Sequence, residues 1–189
     1  MAGLHVDQEG RFTGALQRSD TEKREYLTEG EIRQLIEHES SDATLAFTRD
    51  LFVFACFTAL SFADIRELTT DEIMDVNGEK WIISKRHKTG VPFQVKLLDI
   101  PLQIIGKYRP FQKDNSVFGE INYWNVCKKL KKVISECGIN KQISFHCSRH
   151  TFGTLALSKG MPIESVSRVL GHTNIKTTQI YASAPRMVA

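Results

Sequence analysis

Long apolar runs are missing from this sequence. The longest, Leu51 to Leu60, is bounded by Asp50 and Asp64. It is far below the roughly 20 residues a membrane-spanning helix needs, so a buried core helix is the natural reading and no membrane is expected as a partner. The N-terminus, MAGLHVDQEG, has no apolar stretch of the kind that forms a secretory leader. Cysteine is also scarce: Cys56, Cys127, Cys137 and Cys147 form no CxxC pair, and Cys56 lies inside the apolar run. That argues against a disulfide framework and for a reducing, cytoplasmic setting. There is no internal repeat, no low-complexity segment and no G-x-S-x-G nucleophile elbow, which removes the common serine-hydrolase reading.

What is present suits one domain with an arm. Of 189 residues, 41% are apolar, enough for a sizeable core. The net charge of +3 hides an asymmetry. Residues 1–79 carry 7 basic and 17 acidic side chains, whereas residues 80–149 carry 14 basic and 4 acidic. A basic middle of this size points to a polyanion, with nucleic acid the leading candidate.

Residues 1–26 are polar and aperiodic and read as an arm or linker; residues 27–189 read as the folded domain. Thr28 with Glu31 has the form of a capping box, followed by an apolar stripe at Ile32, Leu35 and Ile36. Asp42 can cap a central helix reaching about Ala59. Two strands, 72–76 and 80–84, flank Asn77-Gly78, a strong hairpin signal. A third strand, 93–98, follows the turn at Lys88-Thr89-Gly90. Helices are expected from Pro101 to about Tyr108, from Tyr123 to Cys137, from about Ser148 to Ser158, from Pro162 to Gly171, and from about Asn174 to Tyr181. The fold class is therefore mainly α with a small three-stranded antiparallel β-sheet.

The chemistry is concentrated in the last third. His146-Cys147-Ser148-Arg149 is followed by Leu170-Gly171-His172, and Tyr181 lies nine residues further on. His146 and Arg149, three apart at a helix start, project from one face. Gly171 lets the chain turn and places His172 at a helix boundary. Tyr181 falls on a short segment read as mobile, a freedom that an attacking phenol needs. His146 and His150 have the i, i+4 spacing of zinc peptidases, but Cys147 stands where those enzymes carry a glutamate base, so that reading is rejected.

These motifs, with TALSFADIREL at 58–68, SKRHKTG at 84–90, SFHCSRHTFGT at 144–154 and VLGHTNIKTTQIYA at 169–182, resemble the tyrosine recombinase (phage-integrase) family. The resemblance is greatest to its conjugative-transposon integrases and covers Leu27 to Ala182. It implies a mainly helical catalytic domain with a three-stranded sheet, and DNA cleavage through a 3′-phosphotyrosine. Tyr181 would be the nucleophile, Arg149 and His172 donors to the phosphate, and His146 the base toward the tyrosine. Lys88 would match the hairpin lysine that protonates the departing 5′-oxygen. Fixed cations would do the work of a metal, so no cofactor is implied. Double-stranded DNA and further recombinase subunits, four on DNA, are the implied partners, in the integration or excision of a mobile element.

One departure matters. The family's first catalytic arginine follows T-G-L, but here the motif reads Thr58-Ala59-Leu60-Ser61, and a hydroxyl cannot replace a guanidinium. Arg66 and Arg86 are the nearby candidates. Arg86 is favoured, since a strand continuing to Lys88 would send both side chains from one face. Lys128 and Lys132 are read as DNA-backbone contacts. A topoisomerase-like enzyme and a DNA-binding module with decayed catalysis are the competing readings, the latter motivated by Ser61. The family's usual N-terminal clamping domain is expected to be missing, leaving a chain that is mostly monomeric without DNA.

Overall fold

The first helix begins where the capping box predicts. The Glu31 carboxylate accepts the Thr28 N–H at 2.7 Å, and the Thr28 hydroxyl accepts the Glu31 N–H at 3.3 Å. The computed structural model describes residues 25–172 and 174–182; most of the expected arm, up to residue 24, lies outside the described residues. Helix α1 (Glu29–Glu37) buries Ile32 and Leu35, while Ile36, expected on the same stripe, stays exposed. Helix α2 (Ala43–Thr58) starts at Asp42, whose carboxylate accepts the N–H groups of Thr44 and Leu45. Its residues Leu51 to Cys56 are all buried, so α2 is the central helix. It packs against α1 and against three later helices: α4 (Asp99–Tyr108), α5 (Tyr123–Glu136) and α6 (Cys147–Ser158). Each large apolar side chain it buries stabilises the fold by about 1.5–3 kcal/mol.

Between these lies the expected antiparallel sheet, in the order β1 (Ile73–Val76), β2 (Glu79–Lys85), β3 (Pro92–Lys96). Asn77 and Gly78 have φ of 55° and 81°, as a tight hairpin turn of this hand requires. Strand β2 stops at Lys85, which pairs with Pro92. Residues 86–91 then form a turn, closed by the Gly90 N–H donating to the Arg86 carbonyl at 2.7 Å and the Arg86 N–H to that of Val91 at 2.8 Å. The strand therefore does not carry Arg86 and Lys88 out on one face, contrary to the expectation from alternation.

Helix α3 (Phe62–Glu67) was not anticipated. Six residues are too few for a periodic pattern, and only its cap could have revealed it. The Ser61 hydroxyl accepts the Asp64 N–H at 3.2 Å, and the Asp64 carboxylate accepts the Ser61 N–H at 3.0 Å. The last two helices among the described residues are α7 (Ile163–Leu170), ended by Gly171 at φ 67°, and α8 (Lys176–Ala182). Under these last helices sits a second small cluster of Ala59, Phe152, Val166, Leu170 and Tyr181. No helix among the described residues is long and apolar enough to cross a membrane.

Candidate active site

Two arginines from distant parts of the chain meet at one carbonyl. Helix α2 ends at Ala59 in the left-handed region (φ 56°), which turns its carbonyl away from the helix ladder. Arg149, on α6, donates to that oxygen and to the Leu170 carbonyl at the end of α7. Arg86, from the turn after β2, donates to the same Ala59 oxygen at 3.4 Å and to the Val169 carbonyl. The C-terminal carbonyls of two helices thus anchor both guanidinium groups, where the helix dipoles favour cations.

Arg86 is held on every side. Its Nη1 lies 2.8 Å from Asp64 in a buried ion pair. Its guanidinium sits 4.0 Å over the Phe93 ring. Gly171 lets it pass, because a Cβ there would lie 3.2 Å from Arg86 Nε. Asp64 in turn accepts the His87 N–H at 2.9 Å. Burial pushes the Asp64 carboxyl up, but the His87 N–H and the Arg86 guanidinium outweigh it and hold it below the usual carboxylate range. Burial, and then the neighbouring Arg86, pull Arg149 down to about 10, so it stays charged at neutral pH. Two cations this close form a site whose electrostatic need is an anion. Among the described residues, the buried Arg86 Nε–H has no acceptor.

Tyr181 lies beside this pair. It is 8% exposed, on α8, with its ring against Gly153 of α6; a Cβ at that glycine would come within 2.7 Å of the ring. The tyrosine read as mobile is therefore packed into the small cluster, because α6 and α8 pack face to face. The His172 ring stacks near-parallel to it at 6.4 Å, and His172 Nδ1 lies 2.9 Å from Thr178 Oγ1. The hydroxyl of Tyr181 is hydrogen-bonded to His150 Nδ1 at 2.9 Å. His146, which the motif suggested as the base, is exposed at the start of α6, with its ring perpendicular to that of His150 at 4.9 Å.

The fold thus gathers Arg149, Arg86, His172 and Tyr181, with His146 at the edge. Lys88 stands exposed at the tip of the 86–91 turn. Arg66 is exposed and pairs with Glu67 at 2.9 Å. Lys128 and Lys132 lie on the exposed face of α5, Lys132 in a 3.7 Å pair with Glu136. Two residues of this site were not assigned to it by sequence reasoning, His150 having been weighed only as a zinc ligand. Asp64 could have been found from the S-x-x-D cap, and His150 from its position directly after Arg149. Among the described residues no group of three or more His, Cys, Asp or Glu is arranged to hold a metal ion.

The phage integrase family model matches residues 25–186. A tyrosine recombinase, XerA, of Saccharolobus solfataricus is 33% identical over 116 residues, covering 61% of this chain and 39% of that protein. The XerD tyrosine recombinase of Listeria monocytogenes is 40% identical over 65 residues, 34% of this chain and 21% of its own length. The chain thus spans well under half the length of these relatives. Among solved structures, XerA recombinase superposes with a TM-score of 0.71 at 22% identity, over 88% of this chain and 61% of that one. The Tn1549 transposon integrase in complex with transposon right end DNA gives 0.70 at 16% identity, over 88% and 64%. At such identities these structures show a common fold.

Proposed function

From its membership of the phage integrase family, to which the chain belongs, we propose that this protein is a site-specific DNA recombinase that cuts and rejoins DNA through a 3′-phosphotyrosine at Tyr181. The observation that carries the proposal is the convergence of Arg86 and Arg149 on the Ala59 carbonyl beside the Tyr181 site. In phosphoryl transfer, charge spreads over the non-bridging oxygens, and preorganised cations supply most of the catalysis. Arg149 and Arg86 are those cations, and Arg86 stands in for the arginine absent at Ser61. His172, stacked beside Tyr181, and His146, at the exposed rim, donate to the phosphate. Lys88, on its exposed turn, protonates the departing 5′-oxygen.

The Tyr181 oxygen attacks the phosphorus as the 5′-oxygen leaves, so bond energy is kept in the protein–DNA ester and rejoining needs no ATP. The substrate is double-stranded DNA, gripped by basic residues of the 80–149 segment that include Lys128 and Lys132. Further copies of the protein assemble on it, and the reaction serves integration or excision of a mobile element. A transposon integrase bound to transposon DNA among the structural neighbours supports that reading.

The test uses a pool of nicked duplexes randomised over their central base pairs. Covalent adducts formed by the wild-type chain are recovered, and their DNA is resynthesised as one suicide substrate. The expected result is a denaturant-resistant adduct with wild type and none with Tyr181→Phe, followed by strand exchange between two duplexes. An adduct that survives in Tyr181→Phe refutes the assignment of the nucleophile.

A further inference from the structure

We infer that His150 is the catalytic residue that takes the proton from Tyr181, a role the family motif led us to expect of His146. The inference rests on the reading of Tyr181 as the nucleophile. The geometry is direct. His150 Nδ1 is 2.9 Å from the Tyr181 oxygen, within the reach a general base requires. Both side chains are buried to the same 8% exposure, so the pair meets away from bulk water. Gly153, about one turn beyond His150 on the same helix, admits the tyrosine ring and sets its hydroxyl against the His150 ring, whose plane is tilted by 47°.

The proton balance is closed. As the Tyr181 oxygen bonds to phosphorus, the P–O5′ bond breaks and Lys88 protonates the departing 5′-oxygen, while the Tyr181 O–H bond breaks and an N–H bond forms at His150 Nδ1. The neutral ring, carrying its other hydrogen on Nε2, becomes an imidazolium. In rejoining, the 5′-hydroxyl attacks the phosphotyrosine and gives its proton back to Lys88, and the proton on His150 returns to the tyrosine oxygen. The exposed His146 stands perpendicular to His150 at 4.9 Å, and its exposure leaves it for the phosphate.

The experiment measures single-turnover adduct formation on the resynthesised suicide duplex with the full 189-residue chain. His150→Ala is expected to lose on the order of 10²- to 10³-fold, the usual share of a general base, and added imidazole should restore part of it. His150→Asn, which can still hold the hydroxyl but cannot take its proton, should be similarly slow. This variant also guards against a folding defect in His150→Ala. If wild type forms an adduct and Tyr181→Phe does not, yet either His150 variant cleaves within about threefold of wild type, this inference falls and the proposed function stands. If wild type forms no adduct, both fall.

Discussion

Replacing Arg86 by alanine tests the site most severely, because it should damage stability and catalysis by separable amounts. The change removes the partner of Asp64 at 2.8 Å, the donor to Ala59 and Val169, and the cation over Phe93. A buried carboxylate left behind costs about 3–5 kcal/mol. The Ser61 and His87 N–H groups still bind Asp64, at 3.0 and 2.9 Å, and place the loss at the lower end. About 3 kcal/mol corresponds to a drop of roughly 6–12 °C in Tm for a domain of this size, which leaves a folded protein. Removing one preorganised donor from a transition state costs about 3–4 kcal/mol more, a rate loss of roughly 10²- to 10³-fold. Adduct formation measured well below the lowered Tm separates the two. Arg86→Lys keeps the charge but not the fork, and should fall between. Arg66→Ala removes only an exposed pair with Glu67 and should cleave like wild type. Wild-type cleavage by folded Arg86→Ala would refute the claim that this arginine fills the place left by Ser61.

Two other perturbations probe the supports of the site. Gly153→Ala would stabilise an ordinary helix by about 1 kcal/mol, but here the new Cβ meets the Tyr181 ring at 2.7 Å. The expectation is lower stability and adduct formation at least tenfold slower with DNA affinity kept, measured by thermal melting, gel shift and suicide-duplex cleavage. Asp64→Asn tests the pH dependence. Because the folded-state pKa of Asp64 lies below its unfolded value, its ionisation contributes stability above the unfolded pKa. That contribution is lost as pH falls through the folded one. Denaturant unfolding should find Asp64→Asn weaker than wild type at pH 7, with the gap closing below about pH 4. A constant gap would mean that the Asp64 charge contributes nothing.

What the sequence determined by itself was whatever is encoded within a few residues. The Thr28–Glu31 box, the Asp42 cap, the Asn77-Gly78 turn and the Gly171 stop each set a boundary through backbone geometry and local hydrogen bonds. The order His146, Arg149, His172, Tyr181 was legible for the same reason, as short motifs carried by those elements. Only tertiary structure decided which side chains meet. Arg86 and Ala59 are 27 residues apart and His150 and Tyr181 are 31 apart. Those contacts depend on where β2 ends and on which faces of α6 and α8 pack together. Strand alternation predicted that Arg86 and Lys88 would leave one face of a continuing strand; the strand instead ends at Lys85, and the carboxylate of Asp64 holds Arg86 inside. Ser61 seen alone was a missing arginine. In the fold it caps the helix that carries Asp64, and Asp64 holds Arg86, the arginine we propose in its place.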